Sequence, residues 1–594
     1  MFFSDCFWRH IPHWSVAVVL ILGSSASQIQ AQPVPSSADN TGTIVTLDND
    51  RFDISGGSLS VDGENLFHSF EQFGLSQGQV ANFLANPNIR NILSRVMGGD
   101  ASVIDGLLQV TGGTPNLYLM NPAGIIFGSG ARLDLPASFT ATTATGIDFN
   151  QKVFSAFQEN DYSVLVNDPT SLIFAIVEPG AIVNAGVLSV PDFANLNLIG
   201  GQVLNLGTLT GGDVTVTALP GQSTLRVTPE GRILSLDLSL PEGIALENLT
   251  PAKLPQLLLG TDLEQATDLA VQEDGSVWLV APDPQNSAAI VGAEVNILAE
   301  KAIAGNGLIE GDRLALRAET LGTKDQPLFT QVNALSTDTA LSNGDQFLVN
   351  LQGLTSLNLN AGTEGFLSLT VQGAILDADP DLDVQAATLK LDTLGGIGTI
   401  DSPLQTAVQT IAAQASQTGG IAIQNQNNLN VATVDQLAGI QTQSGTIALQ
   451  VREGNLTLNS SENPLQPILQ TVDSGDLILE AAQINLYSPV QSAGAQTYQG
   501  NLVLGTDVQL KSTQQGAIVF QGTIDSDQSA TPRNLSVETG GVTQFNGPIG
   551  SISPLATLET DAQGGVTEQT IFNTNLIQTI ANQRFQDPVQ LVQT

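Results

Sequence analysis

From about residue 350 onward the sequence restates itself at a step near 22 residues, and such a step excludes most ways in which a long chain can fold. Tyr498-Gln499-Gly500-Asn501-Leu502 returns as Phe520-Gln521-Gly522-Thr523-Ile524 and as Phe545-Asn546-Gly547-Pro548-Ile549, at steps of 22 and 25. Gly454-Asn455-Leu456-Thr457-Leu458 aligns with Gly475-Asp476-Leu477-Ile478-Leu479 at a step of 21. Within the units, apolar and polar residues alternate, as in Leu357-Asn358-Leu359-Asn360-Ala361 and Ala482-Gln483-Ile484-Asn485-Leu486. This is the period of a strand with one buried face.

One such unit cannot stand alone. Burying an apolar side chain gains roughly 1.5–3 kcal/mol, whereas ordering backbone costs about 1–2 kcal/mol per residue, so roughly six inward side chains cannot hold a 22-residue loop. Stacked units can, because each strand pairs with its equivalent in the next coil and the apolar faces merge. The expected fold is all-β: a right-handed parallel β-helix, its hand following the usual crossover preference. At ~4.8 Å per coil, roughly 25 coils would make a rod near 120 Å. A pair of antiparallel β-sandwiches is the competing reading, and it leaves the persistent step unexplained.

Toward the end, Gln583-Arg584-Phe585-Gln586-Asp587-Pro588-Val589-Gln590-Leu591 echoes Gln496 to Leu504, and the sequence stops at Thr594. Because an open last coil leaves strand edges unpaired, the expectation is a truncated form of a longer reading frame, or a rod capped by another chain.

Composition narrows the function. Charged residues are 13% of the 594 against a usual ~25%, and hydrophobic residues reach 42%, which argues against a highly charged disordered chain. Fifty-seven acids against eighteen bases give a formal charge of −39, a sign that repels nucleic acid and anionic lipid.

The first residues set the compartment. Arg9, His10 and His13 precede the apolar run Val16 to Leu22, and small and polar residues follow to Ala31-Gln32, so 1-31 reads as a secretory signal peptide. That run is too short to span ~30 Å of hydrocarbon, and no later stretch approaches ~18 apolar residues. Cys6, the sole cysteine, lies in the leader, which leaves the mature chain without a thiol or a disulfide framework.

Between 71 and 97 the texture changes. Ser76-Gln77-Gly78-Gln79 has the form of a capping box ahead of Val80, Phe83 and Leu84, and Asn86-Pro87 looks like a helix start before Ile89, Ile92, Leu93 and Val96. A small helical insert near residues 76-97 is therefore expected, closed by Gly98-Gly99. Short strands should follow at Gly106 to Val110, Asn116 to Met120 and Gly124 to Gly128.

Three stretches carry a resemblance: Asn65-Leu66-Phe67-His68-Ser69-Phe70, then Asn86 to Val96, then Asn121-Pro122-Ala123-Gly124-Ile125-Ile126-Phe127-Gly128. Over roughly residues 40 to 240 the chain resembles the N-terminal secretion domain of two-partner secretion exoproteins, the filamentous haemagglutinin family. The downstream repeats resemble the rod of those exoproteins more loosely. The resemblance implies a right-handed parallel β-helix with extra-helical elements, exported by an outer-membrane β-barrel transporter for which two Asn-Pro motifs matter. Carried over by position, these secretion-motif residues are Asn86, Pro87, Asn88 and Ile89, and Asn121, Pro122, Ala123 and Gly124. Ile89 stands where leucine is more familiar, and Ala123 where asparagine is. From the residues alone, Asn-Pro makes a rigid turn, since asparagine bonds its own neighbouring amides and proline fixes φ.

Candidates for chemistry are few. With no mature cysteine, and with His68 as the sole histidine beyond the leader, a Ser-His-Asp arrangement would have to use His68, whose neighbours Leu66, Phe67 and Phe70 mark it as structural. Three or four His or Cys ligands for zinc are lacking. Asp377, Asp379, Asp381 and Asp383 have spacing that suits calcium but lack the glycine and glutamate of an EF-hand loop, so a solvated acidic turn is expected. No catalytic residue, metal or cofactor is assigned.

The resulting reading divides the chain into a signal peptide at 1-31, a secretion domain at 32-270, an irregular β-helical continuation at 271-350 and solenoid repeats at 351-594. It describes a secreted exoprotein that passes through the periplasm to the cell exterior or surface as an adhesin-like or structural rod, with a host, cell-surface or polysaccharide ligand. The alternatives are a carbohydrate-active β-helix enzyme, either lyase or glycosidase, and a secretion module that has lost a C-terminal effector.

Overall fold

The computed structural model describes residues 31–37, 39–227, 233–237, 275–280, 288–459, 466–561 and 568–592. The expected leader, apart from residue 31, and the expected boundary at 270 lie outside these residues.

Alternation becomes stacking. Leu66 pairs with Ile92, Ile92 with Leu117, Leu117 with Phe139, and Phe139 with Leu196, each in parallel register and each pointing into the coil. Farther along, Leu314, Leu335 and Leu357 continue in the same way. The inward side chains form one apolar core from Phe52 to Phe572. The fold is thus a parallel β-solenoid of about 20 turns. Roughly 25 were expected; among the described residues, five strands lie outside the coil.

These five, Gly146–Phe149, Lys152–Ser155, Ser171–Phe174, Ser223–Val227 and Ile233–Asp237, make a separate antiparallel sheet. It lies on the outside of the early coils, where Phe67, Leu93, Tyr118 and Ile199 pack against Ile147, Phe154 and Leu172. Early strands are therefore buried on both faces. At the N-terminal end, Arg51–Gly56 pairs in parallel with Val80–Leu84 and antiparallel with Thr43–Asp48, and this hairpin shields the first coil's edge.

The expected helical insert near residues 76-97 is not there. Val80–Leu84 and Asn91–Val96 are strands, and all six residues of the second are buried. The double-sided burial caused the misreading. Ile92 and Val96 face the inner core while Leu93 faces the outer one, and that combination mimics helical spacing. The capping-box contact does form: Gln79 Oε1 accepts the Ser76 N–H at 2.8 Å. It closes a tight turn through Gly78, at φ +83, instead of starting a helix.

Near the C-terminal end, Tyr498, Phe520, Phe545 and Phe572 stack ring on ring at 5.2, 4.9 and 5.1 Å, interplanar angles 11° or less. The first three are the residues aligned by the repeat, and they are true register partners. Two other alignments fall on the wrong face. Leu456 pairs with Ile484, not Leu477, and Phe585 pairs with Thr560 while Phe572 takes the column of Tyr498. The later coils repeat a similar Gly-polar-apolar pattern on more than one face, so sequence similarity alone cannot tell one face from the next.

Candidate functional site

Both Asn-Pro motifs fold into the same turn. In the first, Asn86 Oδ1 accepts the Asn88 N–H at 2.9 Å and Asn86 O accepts the Ile89 N–H at 3.1 Å. In the second, Asn121 Oδ1 accepts the Ala123 N–H at 3.0 Å and Asn121 O accepts the Gly124 N–H at 3.1 Å. These asparagines act locally as the residue type predicts.

Their surroundings differ. Asn86, Pro87 and Asn88 are exposed, with only Ile89 tucked into the core. Residues 121–124 are all buried. Asn121 Nδ2 donates to Asp100 O and Ser102 Oγ, both at 3.0 Å, which ties its coil to the preceding one. The following coil lies so close that a Cβ on Gly180 would sit 2.6 Å from Pro122 O. The first turn is presented on the surface, and the second is a rivet between coils.

The exposed turn stands on an asparagine ladder. Asn116 Nδ2 donates to Asn91 Oδ1 at 3.0 Å, and Asn91 Nδ2 to Asn65 Oδ1 at 2.9 Å. Asn65 Nδ2 then donates to Leu165 O and Asn167 O. Arg90, next to the turn, bridges Glu64 and Asp168.

Substituting Asn121 by alanine removes both the turn acceptor and the donor to the neighbouring coil, and leaves buried groups unpaired. A loss of about 2–3 kcal/mol of local stability is expected, against under ~1 kcal/mol for Asn86→Ala, where water replaces the lost bond. Hydrogen exchange at residues 102–104 and 125–127 measures the difference.

With this geometry in view, residues 31–253 match the family model described as TPS secretion domain. The chain carries a TPS secretion domain. Such a domain implies a two-partner secreted exoprotein, a partner transporter in the outer membrane and export to the cell exterior or surface. Among solved structures, the HMW1 secretion domain from Haemophilus influenzae aligns at 13% identity and TM-score 0.27, covering 91% of this chain and 97% of that one. No curated protein matches the chain. Among the described residues, no helix is long and apolar enough to cross a membrane.

The secretion domain also holds a buried charge that sequence reasoning missed. Arg95, fully buried, donates from Nε to Ser69 Oγ at 2.7 Å, and from Nη1 to Gln158 O at 2.7 Å and to Ser155 O. Its Nη2 meets Asp39, whose side chain is only 4% exposed. The guanidinium lies over the Phe154 ring, and Tyr162 OH donates to Asp39 at 3.0 Å. Burial would raise the Asp39 pKa, but hydrogen bonds from Ser69, Thr41 and Arg95 and the Arg95 charge outweigh it and hold the carboxyl down at about 2. One side chain thus joins the N-terminal segment, two coils and the outer sheet. The only local hint was a charge set among apolar residues in a run that looked helical.

His68 is fully buried inside the coil between Phe70 and Phe83, Nδ1 3.3 Å from Thr43 Oγ1 and Nε2 unpartnered. Burial lowers its pKa to about 4. A substrate has no route to it, so a catalytic triad on His68 is not built.

The acidic loop departs from expectation. Asp377 and Asp383 are buried, and carboxylate oxygens of Asp377, Asp379 and Asp383 lie within 4.8 Å of one another, close enough to share one cation. Asp377 Oδ2 accepts the Leu357 N–H at 2.6 Å and Asp383 Oδ2 the Gln405 N–H at 2.7 Å, so the loop stitches the coils on either side. Burial, aided by the charges of Asp377, Asp379 and Asp381, pushes the Asp383 pKa up to about 7.

Proposed function

We propose that this protein is the secreted partner of an outer-membrane β-barrel transporter, and that its solenoid serves outside the cell as an adhesin-like or structural rod. The observation that carries this reading is continuity: the core that begins in the secretion domain runs without a break to Phe572. Export of the first coils therefore places a template on which each later coil can stack.

In this reading the exposed turn Asn86 to Ile89 is the feature the transporter meets, while Asn121 to Gly124 acts through the stability of the coils beneath. Coil-by-coil folding outside makes backward sliding unfavourable and draws the chain through. A leader at 1-31 delivers the chain to the periplasm, and the lack of mature cysteine spares it cross-links that would block a narrow pore.

Export from cells that also make the partner transporter tests both roles. Asn86→Ala is expected to lower export at least tenfold while costing the purified protein less than ~1 kcal/mol of stability, and Asn121→Ala to lower export in proportion to lost stability. Equal export of Asn86→Ala and the parent would remove the direct-contact role. For the folding pull, substitutions that block stacking of the early coils are expected to stall export, and export at the normal rate would overturn it.

A further inference from the structure

Beyond the secretion domain, the side of the solenoid opens into a cleft of about 560 Å³, within the ~300–1,000 Å³ typical of small-ligand sites. Its lining runs from Thr363 to Thr457 across successive coils, which at ~4.8 Å each give roughly 20 Å along the axis. Gln385 is the register partner of Ala407 and Ala386 of Val408, after which the pairing omits Ala387 and Gln409. Gln385 and Ala407 are the half-buried, outward members of these pairs, and Ala386 and Val408 face the core. On the far side Asn430 pairs with Thr457 in the same direction.

The chemistry of the lining is distinctive. In a chain of formal charge −39, none of the thirteen lining residues is charged: six are Asn or Gln, two are Thr, and the rest are aliphatic. Asn430 keeps a buried Oδ1 with no hydrogen-bond partner. An anionic ligand would call for Arg or Lys, and a cation for carboxylates. An apolar ligand would strip water from the amides and return nothing. Amides that offer donor and acceptor side by side suit a ligand that also offers both, and half-buried Leu382 and Ala407 add a small apolar surface beside them, while Val408 and Leu429 belong to the core behind.

We propose that this cleft binds a neutral oligosaccharide lying along the rod axis, its hydroxyls paired with Gln385, Gln409 and Asn430. None of the described lining residues is a carboxylate, and the role assigned to the site is retention of the sugar. The inference deepens the surface-rod reading and rests on it for its biological sense, but binding by purified protein is measured without any export step, so the two fail separately.

The test is calorimetric titration of the purified chain with cellohexaose, maltohexaose and laminarihexaose, and with trigalacturonate as the acidic counterpart. At least one neutral hexasaccharide is expected to bind saturably and trigalacturonate not to. Asn430→Thr and Gln409→Trp should each weaken binding at least tenfold with unchanged circular dichroism. Gln409 is exposed, so its variant decides the matter should the Asn430 variant unfold. Absence of saturable binding by all three neutral sugars, tighter binding of trigalacturonate, or full affinity in Gln409→Trp would each overturn the proposal.

Discussion

Replacing Arg95 by methionine is expected to remove about 3–5 kcal/mol from the stability of the secretion domain, the range seen when one partner of a buried ion pair is deleted. The size follows from what is left behind. Asp39 would keep its burial without its cation, and Ser155 O and Gln158 O would lose a donor. Arg95→Lys should recover only part of the loss, because a point charge cannot reach Ser69, two carbonyls and Asp39 together as the guanidinium fork does. The pair also sets an acid limb. With its pKa depressed from 3.8 to about 2, Asp39 contributes about 2 kcal/mol that is present above pH ~4 and lost as pH falls toward 2. Denaturation and hydrogen exchange at residues 65–72 and 91–96 report both effects. Wild-type exchange in Arg95→Met would sink this account of the domain's centre.

The second large effect is a pair of opposite pH responses within one molecule. His68 is neutral in the fold down to about 4 but takes a proton near 6.5 when unfolded, so the first coils should lose about 3 kcal/mol as pH drops from 6.5 toward 4. Asp383 behaves the other way. The fold holds its proton up to about 7 while the unfolded chain releases it at 3.8, so the coils around residues 357–406 gain about 4 kcal/mol as pH falls across that window. A global melting curve would show the two partly cancelled. Hydrogen exchange at pH 7 and pH 5 separates them, because a solenoid opens locally. Protection is expected to fall around residues 66–70 and rise around 384–406 on acidification. His68→Phe should abolish the first response and Asp383→Asn the second. Parallel responses in the two regions would contradict these assignments.

Much of the architecture is legible in short stretches. Leu357 to Ala361 alternates in sequence and in burial, and the aligned Tyr498, Phe520 and Phe545 lie in one stack. Both Asn-Pro motifs make the turn their residue types call for. Legibility ends where burial comes from a distant part of the chain. Leu93 and Arg95 read as parts of a helix because the sheet that covers them is formed by residues 146–237. Asp377 and Asp383 read as solvated because the backbone groups that engage them belong to other coils.

What the sequence by itself determined is therefore strand alternation and the turns, which depend on neighbours within a few positions, together with the presence of a repeat and the family match over residues 31–253. Only the tertiary structure decided which strands share a column, which Asn-Pro turn faces solvent, and where a charge lies buried. The physical reason is that the later coils present a similar pattern on more than one face. Which face meets which is settled by contacts between residues tens of positions apart, once the whole stack is in place.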